Sequence, residues 1–215
     1  GPVWAQLAAT LRDARRQPVL WRFLLAYWLY NDGIGTIIKM AGAYGAEMGV
    51  PMGHLLGAFL LTQLVGVPAT VAFGALGRRR GARFGIAVAL AGYVVVTLLG
   101  FLMHQTWHFW LLAGLVGLVQ GGAQALSRSL FARLVPVGRE AELFSFYDIS
   151  GRFAGVLGPA LFALATMMTG SARSGVLLVL VTFLGGLWLL RTVPEQVPGL
   201  GPQTSEPVNE TGERW

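Results

Sequence analysis

The sequence predicts an all-α membrane protein built on six transmembrane helices. Three observations carry that prediction. Of 215 residues, 54% are hydrophobic and only 12% are charged, against about 25% charged in a typical soluble domain. The apolar residues gather into six stretches of roughly 20 residues, the length a helix needs to cross a bilayer core. The arginines gather in connections that all fall on one side, as cytoplasmic loops do. The 30 glycines suit closely packed membrane helices.

The elements follow in order. Gly1-Pro2 reads as the scar of a cleaved tag, so the chain is expected to be part of something longer. Residues 3–17 repeat Trp4, Leu7 and Leu11 at helical spacing beside Arg12, Arg15 and Arg16. That pattern predicts either an amphipathic helix at the membrane surface or an ordinary flanking segment. The transmembrane domain, 18–191, holds spans at about 19–44, 55–76, 84–103, 109–131, 143–168 and 176–190. The third carries no charge at all, and the third and sixth are expected to face lipid. Residues 192–215 are rich in Pro, Gly and acid and read as a disordered tail. Asn209-Glu210-Thr211 within it matches a glycosylation sequon, but on the cytoplasmic side.

Orientation comes from charge. Arg12, Arg15, Arg16 and Arg22 precede the first span; Arg78, Arg79, Arg80 and Arg83 fill the second connection; Arg133, Arg139 and Arg191 complete the set. The opposite connections hold Arg173 alone. Both termini are therefore expected in the cytoplasm. Trp107, Trp110 and Trp188 sit near span ends, as an aromatic belt would. The net charge of +6 thus reads as membrane orientation, and no nucleic-acid partner is expected.

The first, fourth and fifth spans hold almost all the buried polarity. Asn31-Asp32-Gly33 interrupts the first and Gln120-Gly121-Gly122 the fourth, the first members of two groups of three. Glycine-interrupted helices at matching places in two repeats point to a transporter binding site. Asp32, Thr36 and Lys39 share one helix face, with Asp32 and Lys39 roughly 10 Å apart along the axis. Each must then find another partner or face water. A charge at mid-bilayer costs roughly 2.5–3.5 kcal/mol on insertion scales, so both should point into the bundle. Gln120 and Gln124 lie one turn apart, followed by Ser127 or Arg128; Asp148 and Arg152 are spaced for an ion pair. Each has a plainer reading: interhelical hydrogen bonds for the glutamines, a helix-pinning salt bridge for the pair, a reach to the interface for Arg128. Gly151, Gly155, Gly158 and Pro159 read as helix packing. His104 and His108 have metal-ligand spacing but no third ligand, and read as interfacial. Cysteine is absent, and no nucleophile–base pair is recognisable. No enzyme activity, cofactor or metal is expected.

Two motifs then carry a resemblance. "GALGRRRGAR" (74–83) resembles the loop motif of the major facilitator superfamily at Gly74, Leu76, Arg79, Gly81 and Arg83. Arg78 stands where the family has an acid, so that acid's gating contact is not carried over. "GRFAGVLGPALF" (151–162) resembles the superfamily's glycine-proline motif. The stretches 23–49, 117–159 and 169–177, with the specific run "QALSRSLFARLVP", resemble the second half of transporters related to the vacuolar amino-acid effluxers of autophagy and their bacterial relatives. The resemblance covers most of residues 20–191. It implies half of a twelve-span fold, built as two inverted three-helix repeats, with the first and fourth helices lining a cavity that works by alternating access. It implies a bacterial inner-membrane protein, and amino acids as the solute class. On this reading the chain is half of a secondary transporter for a small polar solute, coupled to protons. Asp32 is the proton site or the contact for a cationic group. Lys39 meets a carboxylate or holds Asp32 charged, while Gln120 and Gln124 offer hydrogen bonds. Asp148 and Arg152 switch partners between states. The expected partners are the solute, the bilayer, and either a missing N-terminal half or a second copy of the chain. The rival is a membrane scaffold that transports nothing.

Overall fold

The computed structural model describes residues 10, 12, 14–136 and 138–195. The expected scar at 1–2, the residues Trp4, Leu7 and Leu11 of the expected surface helix, and 196–215 of the expected tail lie outside the described residues. Six long helices follow: α1 Pro18–Glu47, α2 Met52–Arg80, α3 Ala82–Phe101, α4 Thr106–Leu134, α5 Glu140–Thr169 and α6 Ala172–Leu190. Each contains one of the predicted spans almost entirely. Five are long and apolar enough to cross a membrane; α1, which carries Asn31, Asp32 and Lys39, is the exception. α1 starts with Pro18 in its first turn, where the missing N–H costs nothing. Before it, Thr10, Arg12, Ala14 and Arg15 are helical. Ala14 is buried, and Thr10 donates to Glu142 at 2.5 Å.

The arginine motif occupies less loop than expected. Gly74 to Arg80 belong to the end of α2, where Arg78, Arg79 and Arg80 oppose the helix dipole. The connection is Gly81 alone, at φ 94°. The carboxylate of Glu195 lies against it and accepts from the backbone N–H groups of Ala82 (2.5 Å) and Arg83 (2.9 Å), capping α3. Arg83 also donates to the Val193 carbonyl at 2.8 Å, and Arg133 reaches Glu195 at 3.3 Å. The chain is therefore packed to Glu195, past the boundary read at 192. His104 and His108 serve a cap as well. His108 Nδ1 accepts from Gln105 N at 3.2 Å and completes a capping box that starts α4.

α1 packs on α5 and α6, α4 packs on α2 and α3, and α3 meets α6. At the last contact Tyr93 stacks on Phe183 at 4.9 Å. α3 and α6 are two-faced, with Ile86, Leu90 and Tyr93 buried on α3 while Val88 and Val95 are exposed. The most exposed helices are instead α2 and α5. Leu56, Phe59, Leu64, Val67 and Val71 of α2 are uncovered, as are Val156, Leu157, Leu164 and Met167 of α5. Uniform apolarity in α3 reflects a helix with one face on oily neighbours and an apolar exposed face, which composition alone does not separate from lipid exposure all round.

The expected interruptions are also corrected. α1 and α4 are continuous helices through Asn31-Asp32-Gly33 and Gln120-Gly121-Gly122. The α4 glycines allow close approach instead. A Cβ on Gly117 would lie 2.7 Å from the Thr62 carbonyl oxygen and 3.1 Å from Val65 Cβ. Thr62 binds the same junction by donating to the Ala113 carbonyl at 3.1 Å. Gly114, one turn earlier, would meet nothing within 4 Å.

These two glycines separate packing from propensity. Gly117→Ala should destabilise the bundle by about 1–3 kcal/mol, because the obstructing atom is backbone. Gly114→Ala should leave stability unchanged or raise it by up to about 1 kcal/mol. Thermal unfolding of the two variants in one detergent reads both; equal shifts would contradict the close α2–α4 approach.

Candidate functional site

The site begins at Pro159. A helix-interior proline has no N–H for the carbonyl four residues earlier, which here is Gly155. That carbonyl accepts instead from the Lys39 ammonium on α1, at 2.7 Å. One residue before the proline, the Gly158 N–H donates to Asp32 Oδ1 at 2.7 Å. Two turns earlier on α5, the Gly151 carbonyl accepts from Asn31 Nδ2 at 3.0 Å. Three polar residues of α1 thus hold three backbone groups of a glycine-rich stretch of α5. The spacing argument is met: Asp32 and Lys39 each find a partner, on α5 rather than on each other.

Glycine is required on the α5 side. A Cβ on Gly158 would lie 2.6 Å from Asp32 Oδ2 and closer still to Thr36 Oγ1. Thr36 is buried and donates back to the Asp32 carbonyl at 2.7 Å, so it braces α1 at this point. Asn31 extends the junction to a third helix, since its Oδ1 accepts from Gln124 of α4 at 3.1 Å. Further along α1, Trp28 Nε1 donates to Ser150 Oγ at 2.9 Å, and the Tyr30 and Ser127 hydroxyls share a hydrogen bond at 2.6 Å. A glycine-bearing helix facing a bulky polar one is the signal for this seam. Trp28, Tyr30 and Ser150 carry no signal of their own in one sequence.

A cavity of about 630 Å³ opens between α1, α2 and α4, at the bundle end away from the arginine-rich connections. Thr36, Lys39 and Gln120 line it, joined by Gln63, Thr62, Thr97 and Tyr44, which the sequence reading did not single out. Asp32, 7% exposed, stands behind this lining against α5. Gln120 and Gln124 therefore part company: the first faces the cavity, and the second ties α4 to Asn31.

The remaining predicted residues lie elsewhere. Asp148 pairs with Arg128 of α4 at 2.6 Å, not with Arg152, which is exposed and has no carboxylate partner among the described residues. Spacing along one helix made Arg152 the available partner; the α4–α5 crossing supplies a nearer one. Both members of the Arg128–Asp148 pair are about half-exposed, so its worth is within about 1 kcal/mol. Gly74, Arg78, Arg79, Gly81 and Arg83 sit at the arginine-rich end with Glu195, far along the helices from the cavity. Among the described residues no group of three metal-ligating side chains gathers.

Known proteins share this sequence pattern. The family model described as "Vacuole effluxer Atg22 like" matches residues 2–197. The chain is 39% identical over 191 residues to the MFS-type transporter YxiO of Bacillus subtilis, covering 89% of this chain and 45% of that protein. It is 29% identical over 199 residues to autophagy-related protein 22 of Yarrowia lipolytica, covering 87% and 34%. For autophagy-related protein 22 of Botryotinia fuckeliana the match is 30% over 193 residues, covering 79% and 28%. The chain thus spans less than half the length of these relatives. With its five apolar helices, these likenesses make it an all-α, multi-pass membrane protein.

The seam makes a quantitative claim. Gly158→Ala should lower stability by about 1–3 kcal/mol through overpacking against Asp32 and Thr36, and Thr36→Ala in the same chain should restore part of the loss. A thermal shift within error of the parent for Gly158→Ala alone would contradict the contact.

Proposed function

The chain belongs to the Atg22-like vacuole effluxer family, and from that membership we propose that it forms the C-terminal six-helix half of a secondary active transporter. The half moves a small polar solute by alternating access coupled to protons; amino acids are the class implied by the sequence resemblance. The observation that carries this reading is the cavity, which brings a lysine cation and two side-chain amides into the membrane-spanning part of the bundle. Ionisable groups at that depth are costly and mark solute or ion pathways.

The two-repeat layout has support in the packing. Exchanging α1 with α4, α2 with α5 and α3 with α6 turns the α1–α5 contact into α4–α2 and the α1–α6 contact into α4–α3. On this reading α1 crosses the bilayer with the others, and both termini are cytoplasmic. The exposed apolar faces of α2 and α5 then meet a second six-helix half, supplied by the additional length that the relatives have.

Asp32 is the proton-coupling group. Its carboxylate holds α5 through one N–H and lies one turn of helix before Thr36 at the cavity wall. Gain of a proton removes its charge and weakens the grip on α5 beside the Pro159 break, the place where that helix can bend.

Asp32→Asn tests the role while sparing the fold, because the amide oxygen still accepts from Gly158. The variant is made in the whole two-half transporter, which is reconstituted in liposomes, and amino-acid uptake is driven by an imposed pH gradient. Uptake should fall to the level of protein-free liposomes while exchange without a gradient persists. Undiminished pH-driven uptake would remove Asp32 from the coupling.

A further inference from the structure

The cavity is graded along the helices, from a polar floor deeper in the bundle to an apolar mouth at its end, with both open to the surface. By helix rise, Lys39 lies about 12 Å from the Glu47 end of α1, Gln63 about 17 Å from the start of α2, and Gln120 about 21 Å from the start of α4. These three therefore sit at the inner end of the lining. Nearer the mouth the walls are Leu55, Leu56, Phe59, Phe109 and Leu112, of which Leu56 and Phe59 are largely exposed.

The floor has hydrogen-bonding capacity to spare. An ammonium carries three donors, and Lys39 spends one on Gly155. Gln63 and Gln120 bond to no other described residue. No aspartate or glutamate lines the cavity; the Asp32 carboxylate stands behind the lining, bonded to Gly158, so Lys39 is the charge that the cavity presents. Lys39 is exposed within this open cavity, and the apolar walls beside it strengthen its pull on an anion relative to bulk water. The same lining gives a second cation, such as an α-ammonium, nothing to pair with. The walls reward apolar surface.

We infer that this cavity binds an amphiphilic monoanion, with its carboxylate or phosphate head on Lys39 between Gln63 and Gln120 and its apolar body among Leu55, Leu56, Phe59, Phe109 and Leu112. The inference rests on the transporter reading and narrows its solute from polar molecules at large to those with one negative head and an apolar body. A cavity of about 630 Å³ is within the range for ligands of that size.

The test is equilibrium binding to the full chain in nanodiscs, with empty nanodiscs subtracted. Four probes are used: octanoate, octyl phosphate, octanol and leucine. Octanoate or octyl phosphate should bind saturably and each should displace the other; the tighter of the two identifies the head group. Octanol should displace neither, and leucine, which shares the carboxylate but adds an α-ammonium, should compete more weakly than either. Lys39→Ala should weaken octanoate about ten- to a hundredfold, the worth of one charge-assisted hydrogen bond, and Lys39→Arg should restore most of it. Leu56→Asn, at an exposed position that the fold does not need, should weaken octanoate about tenfold and keeps the test decisive if Lys39→Ala does not fold. The inference is overturned if octanol competes as well as octanoate, or if either substitution leaves octanoate affinity unchanged in folded protein. Saturable leucine binding without octanoate binding also overturns it, while leaving the transporter reading in place.

Discussion

One missing N–H organises this bundle. Pro159 deprives the Gly155 carbonyl of its helical donor in the middle of a membrane-spanning helix, where no bulk water can replace it. An orphaned carbonyl there would cost several kcal/mol. Lys39 supplies the bond from the neighbouring helix, at 2.7 Å. The lysine in turn needs a partner for its donors in an apolar chain, and the carbonyl provides one. Each of the two irregularities is tolerable because of the other.

The rest of the seam follows from that pairing. Bringing α1 close enough for Lys39 to reach α5 requires small residues on α5, and Gly151, Gly155 and Gly158 are there. The same closeness gives Asp32 the Gly158 N–H and Asn31 the Gly151 carbonyl. On the other side of the molecule α2 and α4 use the same device in a plainer form, with glycines on α4 and threonines on α2. Both seams bury one face of each helix and leave α2 and α5 with long uncovered apolar faces. The cavity lies where α1 and α2 part, so the lysine that closes the α5 backbone also presents its remaining donors to whatever enters.

Much of this was legible in the residues. The six spans follow from length and apolarity and differ from the helices by a few residues at each end, because helices continue into the interfacial zone where hydropathy no longer marks them. The face carrying Asp32, Thr36 and Lys39 follows from the 3.6-residue period. What those side chains hold does not, since backbone acceptors have no sequence letter: Gly155 read as packing, and its carbonyl as a ligand for Lys39 was invisible. Asp148 illustrates the opposite error. Its helical neighbour Arg152 was visible at four residues' distance, while Arg128 across the α4–α5 crossing was not. Gly121 and Gly122 of α4 were read as breaks because glycine marks both bends and contacts, and only the approach of Thr70 and Phe73 decides between them. Glu195 was hidden in a segment whose composition reads as tail.

The account stands on the link between Lys39 and the carbonyl that Pro159 leaves open. A double-mutant cycle measures that link directly: unfolding free energies of the parent, Lys39→Met, Pro159→Ala and the combined variant, in one detergent. Alanine at 159 returns an N–H to Gly155, so Lys39→Met should cost about 1–2 kcal/mol less in that background than in the parent, a coupling well outside the roughly 0.5 kcal/mol expected of independent sites. Additive losses, with Lys39→Met costing the same whether or not residue 159 is proline, would contradict it.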